Sequence, residues 1–281
     1  METRGVGFFS GADVNLRFLP APPHHGVQFQ RIDVPGSQPI PAHIDFAVPR
    51  HRRTALANRD VVVDLTEHVL AALAGLEIDN CLIQLDAGEV PGGDGSAMMF
   101  VDVLLSTEIV PQEEDRLCFF VEHPTEVRTA DGSRVVALPD PAGALTIEYA
   151  LDYGPDSPIP FQEMQIEITP ETFVHELAFA RTFILESEIA GLRAAGYGSR
   201  ISEKDLLIYG EDGIVGNTLR AQNECVRHKI LDCLGDFSLI GSSLVGRFLA
   251  TKSGHQLNRE LIRSLQQSHP NHFSRSEFDA A

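Results

Sequence analysis

The chain has 281 residues, 43% hydrophobic and 22% charged, enough to bury the core of one large domain or two ordinary ones. Its 40 acidic against 22 basic residues leave a formal charge of −18, which argues against nucleic acid or an anionic membrane surface as the main partner, because such binding rests on basic patches. No apolar run nears the roughly 20 residues that span a bilayer and the start shows no secretory pattern, so a cytoplasmic protein without a transmembrane segment is expected.

In chain order, residues 1–63 alternate short apolar runs (5–9, 14–19, 27–29 and 61–63) with turn formers, and Pro20, Pro22, Pro23, Pro35, Pro39 and Pro41 punctuate them: a β-rich start. Residues 64–67 look like a helix start, with Asp64 or Thr66 as cap, ahead of Val69, Leu70, Leu73 and Leu76 and with Gly75 near the end. Residues 81–86 read as a strand. The loop 88–95 is rich in glycine but lacks the spacing of a phosphate cradle. A helix over about 96–106 buries Met99, Phe100, Val103 and Leu104, and the polar, proline-bearing joint 110–115 marks a domain boundary.

Beyond the joint, the pattern predicts strands at 117–121, 126–129, 134–138 and 145–149, with Asp131-Gly132 as a hairpin turn. Helices follow at 170–177, at 186–195 before Gly196, at 221–239 and at 257–265, with strands at 206–209 and 244–251. A polar, frayed tail is expected from Ser268. Cys81, Cys118, Cys225 and Cys233 form no CxxC pair and sit in hydrophobic patterns, as reduced interior thiols do. His68 with Gly75 and His228 with Gly235 repeat one spacing, a weak hint of duplicated halves.

Within the 221–239 helix, His228 and Asp232 stand four apart and share a face, which is metal-ligand spacing. Asp236 continues the stripe, while Ile230, Leu231 and Leu234 form the apolar face that buries the helix. A catalytic zinc usually takes three protein ligands and keeps a place for water, so a third must come from elsewhere. Glu67-His68 is the best source: a ligand, with a carboxylate beside it to take a proton from water. The plainer alternative makes Glu67 part of a capping box with Asp64 and His68 a half-buried helix histidine. His255, after Lys252-Ser-Gly, is placed to pass protons and to be oriented by Asp236. Thr182 and Phe183 set a hydroxyl beside an aromatic ring, suited to steadying an oxyanion and stacking on a sugar or acyl group, with an ordinary strand edge as the alternative.

Glu67-His-Val-Leu-Ala-Ala-Leu-Ala-Gly75, Ile78-Asp-Asn80, Asp94-Gly-Ser-Ala97, Ala180-Arg-Thr-Phe183, Arg227-His-Lys-Ile-Leu-Asp232 through Asp236, and Lys252-Ser-Gly-His255 together resemble the UDP-3-O-acyl-N-acetylglucosamine deacetylases. These are zinc amidases of bacterial lipid A synthesis, and the likeness runs in order over nearly the whole chain. It implies an α+β fold of two similar βααβ domains packed helix layer to helix layer, with the active site between them. Residues 1–113 would carry Glu67 and His68, and residues 114–281 would carry Thr182, His228, Asp232 and His255. The resemblance implies zinc, with iron(II) as an acceptable substitute, on His68, His228 and Asp232. It makes Glu67 the general base and His255 the proton donor to the leaving amine, with Asp236 beside it. Thr182 supports the oxyanion, and Phe183 and Lys229 belong to the substrate site.

The substrate so implied is a UDP-linked acylated amino sugar, hydrolysed to acetate and a free amine by a monomer. Three features depart from the family: a first strand missing or shortened where the chain opens at Gly5-Val-Gly7, Gly92-Gly93 where bulky apolar residues are common, and Ile184-Leu185 where a glycine is usual. These leave the proposed chemistry untouched and bear on the fit of sugar and acyl chain. Two alternatives stand beside this reading: a divergent zinc amidohydrolase acting on another N-acetylated sugar conjugate, and a binding or regulatory protein that keeps the fold without turnover.

Overall fold

A computed structural model describes residues 1–268 of the chain, so the expected tail beyond Ser268 lies outside the described residues. Among the described residues the fold is mixed α and β, with several sheets and six α-helices. The first sheet has the order β1 (Glu2–Val6), β2 (Asp13–Pro20), β8 (Cys81–Leu85), β3 (Val27–Arg31), β4 (Ile40–Pro41). Val14, Leu16 and Phe18 of β2 point inward at the two-residue period of a half-buried strand, as do Cys81, Ile83 and Leu85 of β8. The first strand is present rather than missing: Glu2 through Val6 pair antiparallel with β2 from Arg17 to Asp13. A small sheet of β5 (Ala47–Val48), β6 (Ala55–Asn58) and β7 (Val61–Asp64) lies between β4 and the first helix in sequence.

The second large sheet runs β10 (Thr125–Arg128), β11 (Arg134–Leu138), β17 (Ser243–Thr251), β12 (Leu145–Leu151), β13 (Gln162–Glu167), with β9 (Cys118–Phe120) on the first residues of β17. The turn between β10 and β11 takes Gly132 at φ +88°, a conformation that favours glycine. A third, small sheet joins β14 (Phe183–Leu185), β15 (Leu207–Gly210) and β16 (Gly213–Ile214).

The helices are α1 (Glu67–Gly75), α2 (Met98–Leu105), α3 (Pro170–Thr172), α4 (Glu186–Ala194), α5 (Glu224–Phe237) and α6 (His255–Ser268). In two of them the departure from the sequence pattern has a local cause. The helix expected over 170–177 is α-helical only at Pro170–Thr172 and continues as a π turn over Phe173–Leu177, and Phe173 fills the space left by Gly75 of α1. The helix expected from residue 221 begins at Glu224, because the Glu224 carboxylate turns back to accept the Arg220 amide at 2.6 Å.

The two central helices are buried almost all round: every residue of α1 except Ala74, and every residue of α5 except Arg227 and Lys229. Such helices belong to an interior, and here they meet backbone to backbone. A Cβ added to Gly235 would fall on the main-chain carbonyl oxygen of Glu67. Gly235→Ala is therefore expected to force the helices apart and cost about 1–3 kcal/mol or more. Urea denaturation checks this, and an unchanged midpoint would contradict the close approach.

Candidate active site

The bend into α1 sets the first half of the site. Asp64 is the last residue of β7, engaged by Arg50 Nε at 3.2 Å and Arg53 Nε at 3.3 Å, so it caps nothing. Leu65 follows at φ +63°, and Thr66, the residue before the helix, makes no side-chain cap bond. The Glu67 carboxylate turns inward instead and accepts the Thr54 amide at 2.9 Å, with Glu67 only 1% exposed. The capping-box alternative is thereby set aside. His68, one residue on, is buried too.

The second half is the polar stripe of α5. His68, His228 and Asp232 bring one ligand atom each to within 4.8 Å of one another. His68 Nε2 and His228 Nε2 lie 3.5 and 3.3 Å from Asp232 Oδ1, and the two imidazole planes cross at 84°. His228 Nδ1 sits 3.0 Å from the Ala180 carbonyl, which must accept a proton from it and so leaves the Nε2 lone pair facing the cluster. Burial pushes His228 down to about 4 against the pull of Asp232, so the imidazole is neutral, as a ligand must be. Burial acts to raise Asp232, but the positive charges of Lys229 and His255 outweigh it and hold the carboxylate ionised. Its Oδ2 takes the Lys229 ammonium at 2.8 Å, while its buried Oδ1 has no hydrogen-bond partner. A buried anionic oxygen left open between two imidazole nitrogens fits a divalent metal ion.

Beside this cluster a histidine lies between two carboxylates. His255 Nδ1 is 2.9 Å from Asp236 Oδ2 and its Nε2 is 3.8 Å from Glu67 Oε1. Burial disfavours the imidazolium, yet Asp236, Glu67 and Asp232 together raise His255 to about 9, so it carries its proton at neutral pH. Burial raises the Glu67 carboxyl, with His255 and His68 opposing. Asp236 is also held by Asn258 Nδ2 at 2.8 Å and by the Thr54 hydroxyl at 2.5 Å, which in turn accepts Arg259 Nη1 at 3.0 Å. Sequence reasoning did not single out Thr54, Asn258 or Arg259. No local pattern ties Thr54 to a carboxylate 182 residues away.

Glu67, His68, His228, Asp232, His255, Thr182 and Phe183 line one cavity of about 130 Å³, continued by apolar side chains that include Phe8, Leu65 and Leu192. Ile184 also lines that cavity, whereas Leu185 does not. The Phe183 ring lies edge-on to Tyr153, His228 and Tyr209, at 6.0, 6.2 and 6.5 Å. Asp236 stands behind His255, and Lys229 is engaged by Asp232 rather than lining the cavity.

A buried cluster able to hold a metal, with a carboxylate and a protonated imidazole beside it in a largely apolar cavity, is the equipment of a hydrolytic enzyme. The chain belongs to the UDP-3-O-acyl N-acetylglycosamine deacetylase family, whose model matches residues 1–267. It is 36% identical over 263 residues, 93% of this chain and 84% of the relative, to the UDP-3-O-acyl-N-acetylglucosamine deacetylase of Anaeromyxobacter sp. (strain Fw109-5). Proteins of the same name from Syntrophus aciditrophicus (strain SB) and Pseudomonas entomophila (strain L48) are 34% and 37% identical, over 96% and 94% of this chain and 85% and 87% of their own.

Proposed function

We propose that the chain hydrolyses the N-acetyl group of UDP-3-O-[(3R)-3-hydroxyacyl]-N-acetylglucosamine, releasing acetate, in lipid A biosynthesis. The observation that carries the reading is the open Oδ1 of Asp232 between His68 and His228, with Glu67 and His255 alongside, in a chain of the deacetylase family.

His68, His228 and Asp232 would hold the ion, which we take to be zinc. When bound it supplies a Lewis acid and a water whose pKa is lowered to about 7. Glu67, fixed by the Thr54 amide, takes the proton of the attacking water. The Thr182 hydroxyl donates to the oxyanion that forms on the acetyl carbonyl. His255, held through Nδ1 by Asp236, gives the proton on Nε2 to the departing glucosamine nitrogen, so that water and amide become acetate and amine. Phe183 packs on the substrate from the cavity wall, and Lys229 steadies Asp232 at the edge of the substrate site.

Residues 1–113 and 114–281 are read as two βααβ domains with the site between them. In support, no strand among the described residues pairs across that boundary, and residues 107–117 are exposed and without helix or strand. A UDP-linked substrate supports the cytoplasm as the compartment, and among the described residues no helix is long and apolar enough to cross a membrane.

The test is a substrate panel followed by release of acetate and amine. Equal amounts of both are expected from the acylated UDP-sugar. UDP-N-acetylglucosamine, which cannot use the apolar wall, should react about 100-fold more slowly or worse, since remote binding energy contributes to the rate. The reverse preference would favour a divergent amidohydrolase, and no acetate from any substrate would favour a binding protein.

A further inference from the structure

Residues 178–182 carry Thr182 into the site, and each has a backbone group held from outside the stretch. The Ala97 amide donates to the Ala178 carbonyl at 3.0 Å, and Arg220 Nη1 to the Phe179 carbonyl at 2.8 Å. His228 Nδ1 holds the Ala180 carbonyl, and Glu224 accepts the Arg181 amide at 3.1 Å. The Thr182 amide donates to the Gly95 carbonyl at 2.8 Å, and its carbonyl accepts the Leu207 amide at 2.9 Å.

Two of these bonds come from the loop 92–97, on the other side of the boundary at 113/114. That loop is itself fixed at Asp94. Its Oδ1 accepts the Ser96 amide at 3.1 Å and the Ser96 hydroxyl at 2.6 Å, and its Oδ2 takes Arg220 Nη2 at 2.5 Å. One guanidinium thus holds both Asp94 in the loop and the Phe179 carbonyl in the stretch leading to Thr182, a two-nitrogen grip that fixes geometry as well as charge. Burial pushes the Asp94 carboxyl up, but the bonds from Ser96 and Arg220 more than offset it and keep it ionised. Gly95 has φ +80°, and a Cβ there would stand 2.9 Å from both Thr182 Cγ2 and the Asp205 carbonyl oxygen. The loop backbone therefore lies directly against Thr182.

We propose that Asp94 and Arg220 are a positioning pair that clamps the Gly95 carbonyl onto the Thr182 amide and so fixes the Thr182 hydroxyl for the oxyanion. The inference rests on the reading of Thr182 given above. Arg220 and Asp94 are 37% and 35% exposed at their side chains, and an ion pair so exposed contributes little to stability. A large effect on turnover is therefore the mark of positioning, because a small misplacement of a reacting group is costly in rate.

The experiment measures kcat, KM and metal content for metal-loaded Asp94→Asn, Arg220→Gln, Thr182→Val and the doubles that combine each of the first two with Thr182→Val. Thr182→Val is expected to lose roughly 100-fold in kcat, as for removal of an oxyanion donor. Asp94→Asn and Arg220→Gln should each lose about 10-fold in kcat, with KM within about twofold and metal unchanged. In the Thr182→Val background either should change kcat by less than about twofold, because the group they position is gone. Losses that multiply, or that fall in KM or metal content, overturn the proposal. Wild-type kcat in Asp94→Asn and Arg220→Gln beside a loss in Thr182→Val overturns the positioning alone, whereas wild-type kcat in Thr182→Val overturns the reading of Thr182 and the proposal with it. Arg220 is at the surface, so its half of the cycle carries the test should Asp94→Asn not fold.

Discussion

Glu67→Gln is expected to lower kcat for acetate release by about 10²–10⁴-fold, the usual worth of a positioned general base, with the metal content unchanged. Glutamine keeps the size of the side chain and one oxygen to accept the Thr54 amide, so the bend from β7 into α1 survives. What it lacks is a basic oxygen at the place where Glu67 Oε1 lies 3.8 Å from His255 Nε2. The metal is retained because the three clustered ligand atoms belong to His68, His228 and Asp232, and not to Glu67. Kinetics on acylated substrate, with elemental analysis of the same sample, checks both parts. A wild-type rate with full metal would remove Glu67 from the proton path.

His228→Ala acts one step earlier, on the ion. It removes one of three clustered ligands and also the ring whose Nδ1 is held by the Ala180 carbonyl. Losing an outer partner of a metal ligand typically costs about 10–100-fold in metal affinity, and loss of the ligand itself should exceed that. After dialysis against a weak chelator the variant should retain little metal and correspondingly little activity, while Glu67→Gln treated identically stays loaded. Unchanged stoichiometry in His228→Ala would take this residue out of the ligand set.

The parts of this site that were legible in the sequence are those with a local period. His228, Asp232 and Asp236 recur every four residues on a helix whose other face is Ile230, Leu231 and Leu234, so both the helix and its polar stripe can be read from spacing alone. The same holds for the alternation of β2 and for the turn at Asp131-Gly132. The repeated glycines, Gly75 and Gly235, proved to mark close approaches, to the Phe173 ring and to the Glu67 backbone.

What the sequence concealed was set by contacts distant along the chain. Nothing near Thr54 announces that its amide holds Glu67 and its hydroxyl holds Asp236. Glu67 resembled part of a cap because Asp64 stands three residues before it. Arg50 and Arg53 bind Asp64, and Leu65 turns the chain sharply, which is why the cap does not form. β13 was missed because Glu163, Gln165 and Glu167 face solvent and its partly buried residues are few, so its alternation resembles a polar loop. β4, β5 and β16 are two residues each, shorter than any periodicity can register.

One metal ion, held by His68, His228 and Asp232, is proposed to serve N-deacetylation of an acylated UDP-sugar. Titrating metal-stripped protein with zinc while following acetate release tests it most directly. Activity should rise linearly and break at one ion per chain, with amine and acetate formed in equal amounts. Full activity before any metal is added, or a fully loaded protein that releases no acetate from this substrate, would contradict it.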